Sequence, residues 1–289
     1  MRCYPAGMRH TPEMIADLSA RAYDYRAQVL RMVYGAKSGH LGGAFSIAEI
    51  LTALYFHQLS LDSQNPGWKD RDRLVFSKGH ACAMLYTMLA HRSYFPVAEL
   101  DTFRKLNSRL QGHPDPEKTP GIEVAAGPLG HGIAIGAGMA LAARIQGSLR
   151  RTWVILGDGE LNSGVIWEGA MTAAKYSLDR LTAIVDSNGV QQTGPTHQVM
   201  PTEPIADKWR SFNWHVIEIH GHNMTQVLDA LDYASELHGR PTVIIARTTK
   251  GKGVRIMEGA SKWHGGVPDD VQFRAALAEL EEGAQKWRA

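Results

Sequence analysis

Five short apolar runs stand out along the chain: RLVFS at residues 73–77, TWVIL at 152–156, LTAIV at 181–185, HVIEI at 215–219 and PTVIIA at 241–246. Several stop on Gly, Ser or Asp, and each has the length and β-branched content of a strand. Between them lie GHACAMLYTMLAHR, GHGIAIGAGMALAARIQG, SGVIWEGAMTAAKYSL and TQVLDALDYASELHG, which carry apolar residues at helical spacing with start or stop signals at their ends. A longer helical region over Pro12–Ala36 precedes the first strand. Strands alternating with helices predict an α/β fold built from βαβ units, with a mostly parallel sheet covered by helices on both faces. No Pro/Ser/Gly linker and no repeat of 20 to 50 residues divides the chain, and the Gly/Pro-rich piece at 112–132 is too short and too apolar for a tether. One domain over residues 1–289 is the expectation.

Composition narrows the partners more than the fold. With 289 residues, 44% of them hydrophobic, the chain can bury a sizeable core. Its 31 basic and 29 acidic residues are mixed and leave a net charge of only +2, which speaks against nucleic acid or an anionic membrane as partner. Cys3 and Cys82 cannot make a disulfide framework, and no run of 18 apolar residues suggests a membrane span. The segment MRCYPAGMRHTPEM lacks the apolar core of a signal peptide, so a cytoplasmic location is expected.

Candidate chemistry begins at TWVILGDGELNSG, residues 152–164. In an open parallel sheet ligands bind beyond the carboxyl ends of strands, which is where Asp158 falls. Its flanking glycines allow close backbone approach, the amides opening the next helix can face an anion, and the carboxylate can hold a cation. Helix capping by Asp158 is the plainer alternative. The next strand, however, delivers DSNGVQ at its own end and so brings Asn188 alongside. A carboxylate and an amide oxygen, with a backbone carbonyl and waters, suit Mg2+ bound together with phosphate. Asp186 is a competing ligand, standing closer to the buried strand and equally suited to capping or orienting a neighbour.

Gly-His recurs at 39–40, 79–80, 112–113, 130–131 and 221–222, each time in a loop signature. Glycine lets the backbone turn there, and imidazole can donate to phosphate or relay protons near neutral pH. Together the pairs imply a cluster of histidines. A zinc site is the alternative, although such sites usually show close pairs such as H-x-x-x-H.

These residues resemble the N-terminal, diphosphate-binding half of transketolase. GDGELNSGVIWEGAMTAAKYSLDRLTAIVDSNG is similar to the family's thiamine motif, and SGHLGG, SKGHA, GHPDPEKTPGIEVAAGPLGHG and TTKGKGVRIMEGASKWHG follow in the family's order over roughly residues 12–282. The resemblance implies thiamine diphosphate and Mg2+ as cofactors. Asp158, the Asn188 side chain and the Val190 carbonyl would then hold the metal. His80, Gly159, Asn188 and His264 would contact the cofactor, with Gly127, Pro128 and Leu129 lining it. His40, His113 and His264 would face the sugar hydroxyls and carbonyl, and Glu168 matches an acid that the family places in a relay between paired active sites. The reaction implied is transfer of a two-carbon ketol unit from a ketose or ketose phosphate to an aldose. Full transketolases continue into a pyrimidine-binding and a C-terminal domain, so the chain resembles the first subunit of a split enzyme. Such a subunit would be active only with a C-terminal-half partner, in a heterotetramer of two chains of each kind.

Departures from the family pattern are Leu41 for Pro, His131 for Gln, Ser163 for Glu, Thr193 for Asp and His220 for Asp. None falls on the inferred metal or diphosphate contacts, but Ser163 puts the proton relay in doubt and the set warns against assuming the standard pentose phosphates, leaving open a specialised two-carbon transferase in a biosynthetic pathway. Two other readings stay open. One is a subunit of another thiamine class, of the 2-oxo acid dehydrogenase or deoxyxylulose phosphate synthase type, against which WHG and GHPDP count. The other is a homologue that keeps only the fold.

Overall fold

A computed structural model describes residues 10–289, so the expectations resting on Cys3 and on the start of the chain lie outside the described residues. The strands are β1 (Arg73–Phe76), β2 (Thr152–Gly157), β3 (Leu181–Ser187), β4 (His215–His220) and β5 (Thr242–Arg247). They form one sheet in the order β1-β2-β3-β5-β4, and every pairing is parallel. Each predicted apolar run is a strand to within one or two residues at either end. The parallel sheet and its helical layers are as the pattern of apolar runs predicts.

Successive residues of each central strand feed opposite faces, as the pleat requires. Along β2, Trp153 and Ile155 join one buried apolar cluster while Val154 and Leu156 join the other. Helices α1 (Pro12–Ala36), α2 (Gly42–Ser46), α3 (Ala48–Ala53), α4 (Cys82–His91), α9 (Met224–Glu236) and α10 (Asp270–Arg288) supply residues to the first cluster. Helices α5 (His131–Ile145), α6 (Gly164–Lys175) and α8 (Ile205–Ser211) cover the other face, and a short turn of helix, α7 (Thr196–Val199), follows β3.

The long α1 starts where its sequence directs. Thr11 accepts a hydrogen bond from the Met14 amide, Pro12 fills the first turn, and Lys37 ends the helix in the left-handed conformation. Helix α10, which the apolar pattern did not reveal, begins with a capping box: Asp269 accepts from the Val271 and Gln272 amides, and the Gln272 side chain accepts from the Asp269 amide. It packs along α1, with Phe273 stacked on Tyr34 at 4.0 Å between ring centroids. Cys82 is fully buried, and burial pushes its thiol up to about 12, so it serves packing rather than redox chemistry. Among the described residues no helix is long and apolar enough to cross a membrane.

Helix α5 approaches β2 so closely that a Cβ at Gly136 would collide with the Val154 side chain, whereas nothing lies within 4 Å of a Cβ at Gly138. Alanine is the better helix former by about 1 kcal/mol, but forced overpacking costs about 1–3 kcal/mol. Gly136→Ala is therefore expected to destabilise the chain by about 1–2 kcal/mol, and Gly138→Ala to stabilise it by up to about 1 kcal/mol. Urea unfolding of both variants reads the opposite signs.

Candidate active site

The carboxyl ends of β1, β2, β3 and β5 converge on one cleft of about 350 Å³, lined in part by Asp158, Asn188 and Val190. Asp158 is 4% exposed. One of its oxygens accepts from the Gly159 amide at 2.8 Å, the other from the Gly189 amide at 2.6 Å across the two loops. That second bond ties together the two loop tips singled out by the sequence. Burial, assisted by the nearby charge of Asp186, pushes the Asp158 carboxyl up to about 6. A buried carboxylate under such strain is stabilised by any cation that comes to it.

Asp186 answers the question left open by the sequence: it orients its neighbours. It is fully buried, and its oxygens accept from Lys78 Nζ, from Ser46 Oγ at 2.6 Å, from Thr248 Oγ1 and from Asn188 Nδ2 at 3.1 Å. Burial alone would raise its pKa, but the Lys78 charge and these donors hold it below the usual carboxylate range. The last of these bonds fixes the Asn188 amide, whose oxygen accepts from the Val190 amide at 3.1 Å.

Three charged residues of the site escape a reading by motif. Lys78 follows β1 directly and, besides Asp186, donates to the Gly43 carbonyl at 2.9 Å. Glu160, two residues past Asp158, is 5% exposed and gathers the Gly157 amide at 3.0 Å, the Gly130 amide at 2.7 Å and the Ser77 hydroxyl. It thereby pins the loop before α5 to the ends of β1 and β2. Lys250 follows β5 and donates to the Val190 carbonyl at 2.9 Å and to Nδ1 of His264 at the same distance. Burial and repulsion from Lys78 bring its ammonium down to about 8. Each is a charge within a few residues of a strand's carboxyl end, and that position is the signal that could have found it.

Of the five Gly-His histidines, the fold brings His40, His80 and His113 toward the cleft and joins them with His264. The rings of His40, His80 and His264 lie 5.0–5.3 Å apart, while His80, His113 and His264 line the cleft itself. Burial is the main cause that pushes His80 down to about 2 and His40 and His264 to about 4, with Lys78 assisting at His80, Arg104 at His40 and Lys250 at His264. His113 is lowered by burial and by Arg104. His40 Nδ1 is buried and finds no hydrogen-bond partner among the described residues.

The remaining Gly-His residues go elsewhere. His131 opens α5 on the surface, and His222 is structural: it contacts Glu49 at 3.0 Å and accepts from the Thr249 amide at 2.8 Å. Glu49 also binds Arg26 of α1 at 2.5 Å, and despite its burial these partners hold it down to about 2. Gly127 and Leu129 line the cleft, whereas Pro128 between them is exposed and lies outside the lining. A Cβ at Gly159 would press on Gln191 at 3.0 Å. Glu168 is exposed on α6, Thr193 in its loop and His220 at the end of β4, while Leu41 is fully buried.

Residues 19–280 match the family described as transketolase, thiamine diphosphate binding domain. The chain is 42% identical to a 6-deoxy-6-sulfo-D-fructose transketolase subunit from a Clostridium species, over 94% of this chain and 99% of that protein. It is 40% identical to an apulose-4-phosphate transketolase subunit from Phocaeicola vulgatus, over 94% and 96%. A transketolase crystal structure from Pichia stipitis superimposes with a TM-score of 0.84 at 30% identity, covering 94% of this chain and 44% of the longer one.

The raised carboxyl of Asp158 sets a pH dependence. Its folded pKa lies above the value in an unfolded chain, so the folded state takes up the proton first as pH falls. Its contribution to stability is present at low pH and is lost as pH rises from about 4 to about 6. In urea unfolding of the protein without cofactor, wild type should therefore gain stability relative to Asp158→Asn as pH is lowered from about 6 to about 4. A difference that does not change with pH would remove the charge strain.

Proposed function

The chain belongs to the transketolase family, as its thiamine diphosphate-binding part, and from that premise we propose that Asp158, the Asn188 side chain and the Val190 carbonyl hold Mg2+ against the cofactor's diphosphate. It is a subunit of a transketolase-type transferase, like the relatives it matches over nearly their whole length. The residues fit such a group. The oxygens offered are a carboxylate, an amide and a carbonyl, the hard donors that Mg2+ takes. The Asp158 carboxylate is buried with no salt-bridge partner among the described residues, and the Lys250 ammonium rests on the Val190 carbonyl. The single observation carrying the reading is the bond from the Gly189 amide to Asp158, which holds both candidate loops to one point.

When bound, thiamine diphosphate supplies the carbon nucleophile that takes a two-carbon ketol unit from a ketose and passes it to an aldose. The chain's own residues bind and position. Lys250 offers a positive charge at the cleft for anionic groups, while the charge of Lys78 is held by Asp186. His80 and His264, neutral at pH 7, flank the cofactor, and each offers one N–H and one acceptor nitrogen. His40, whose buried Nδ1 lacks a partner among the described residues, faces the sugar's hydroxyls and carbonyl together with His113 and His264, holding or moving a proton there. Gly127, Leu129 and Gly159 let the backbone approach the cofactor, with Pro128 shaping the loop. The acceptor and donor are sugars or sugar phosphates outside the common set, a reading supported by the relatives named for unusual ketoses. Pyrimidine-side chemistry belongs to a C-terminal-half partner, and the working form is a cytoplasmic heterotetramer of two chains of each kind.

Calorimetry of the chain together with its C-terminal-half partner and Mg2+ should show cofactor affinity falling by roughly 100-fold or more in Asp158→Ala and in Asn188→Ala. Undiminished uptake in either variant would defeat the metal assignment. The chain alone should not transfer a ketol unit, and adding the partner should restore transfer from a ketose but not from pyruvate. Normal turnover by the isolated chain would show the division of labour to be wrong.

A further inference from the structure

A second cluster of ligating side chains lies on elements that contribute nothing to the cleft. His10 stands immediately before the cap of α1. His57 sits on a π-helical turn, Leu54–Gln58, that extends α3. Asp229 and Asp232 are three residues apart on α9, on one face of the helix. A π-turn is a rare local insertion that re-aims a side chain and is frequent at functional sites.

The arrangement has the dimensions of a coordination shell. His57 Nε2 is 2.8 Å from one Asp232 oxygen, and His10 Nε2 is 3.3 Å from the other and 3.6 Å from an Asp229 oxygen. The ligand atoms of His10, His57 and Asp232 all lie within 4.8 Å of one another. Around zinc, with bonds of about 2.0–2.2 Å, tetrahedral ligands stand about 3.3 Å apart. The two imidazoles meet edge to face, with ring centroids 5.0 Å apart and planes at 89°. The His10 side chain is only 4% exposed, yet its Nε2, aimed at both carboxylates, makes no hydrogen bond among the described residues. A buried imidazole nitrogen without a hydrogen bond is costly, and two facing carboxylates carry charge that a divalent cation would cancel.

We infer that His10, His57, Asp232 and Asp229 form a structural site for one divalent transition metal of the zinc type. Two imidazoles favour zinc and its neighbours over Mg2+ or Ca2+, which take oxygen ligands. Three ligand atoms already stand together, and a rotation of the Asp229 side chain, 3.6 Å from His10, supplies the fourth, which leaves no open position and makes the site structural rather than catalytic. The metal fastens the entrance of α1 to α9 and to the turn after α3, next to the place where Gln58 of that turn donates to the Ser235 hydroxyl of α9 at 2.9 Å.

The full-length chain, stripped with a chelator and titrated with Co2+, should take up one equivalent with the intense visible absorption of tetrahedral cobalt, which Zn2+ then displaces. His57→Gln keeps a donor toward Asp232 while removing the imidazole, and it should weaken uptake by at least 10-fold. Asp229→Asn, on a partly exposed side chain, gives a second reading should His57→Gln fold poorly. His264→Ala should leave the signal intact, which separates this site from the histidines of the cleft. A wild-type chain that gives no tetrahedral cobalt signal overturns the inference, as does equal uptake by wild type and His57→Gln. Either result would leave His57 and Asp232 as a hydrogen-bonded latch.

Discussion

Everything at the cleft depends on one buried carboxylate that never faces it. Asp186, at the carboxyl end of the central strand, gathers donors from four separate segments: Lys78 after β1, Ser46 of α2, Asn188 after β3 itself and Thr248 after β5. Local propensity does not bring these segments together. The charge is buried, so each donor is needed, and removing one partner of such a pair typically costs about 3–5 kcal/mol. The same carboxylate adds its repulsion to the burial that raises Asp158, and it aims the Asn188 amide. One buried acid thus sets the geometry and the electrostatics of the residues that would meet a cation.

The rest of the site follows from shielding. His40, His80 and His264 lie near one another and near two lysines, and both burial and like charge oppose protonation. Three imidazoles that would otherwise titrate near neutrality are therefore held in a single state across the physiological range. Lys250 supplies a positive charge beside them instead, that of Lys78 being paired with Asp186, which leaves the imidazoles to act as donors and acceptors.

The sheet was legible because its signal is local. Short apolar runs such as TWVIL and LTAIV cannot be anything but buried, and the strands fall within a residue or two of them. Asp158 and Asn188 were legible as residues of the cleft because both lie just past such runs. Lys78, Glu160 and Lys250 were missed because their partners are distant in sequence: Lys78 and Asp186 are 108 residues apart, and a lone charge in a loop looks solvated until the fold closes over it. Equal weight on all five Gly-His pairs overstated the cluster, since His222 braces α3 through Glu49 and His131 merely opens a helix. Helix α10 escaped the apolar pattern, although its capping box, Asp269 with Gln272, was there to be read.

Gly130 carries one more consequence. It caps α5 at a positive φ of 90°, and a Cβ there would stand 2.5 Å from the Ser163 hydroxyl at the start of α6. The two positions share a space that holds one small side chain and none besides. A bulkier residue 163 must therefore lead its added atoms away from the loop, and any side chain at 130 would meet Val165 and the strain of a positive φ even with the serine gone.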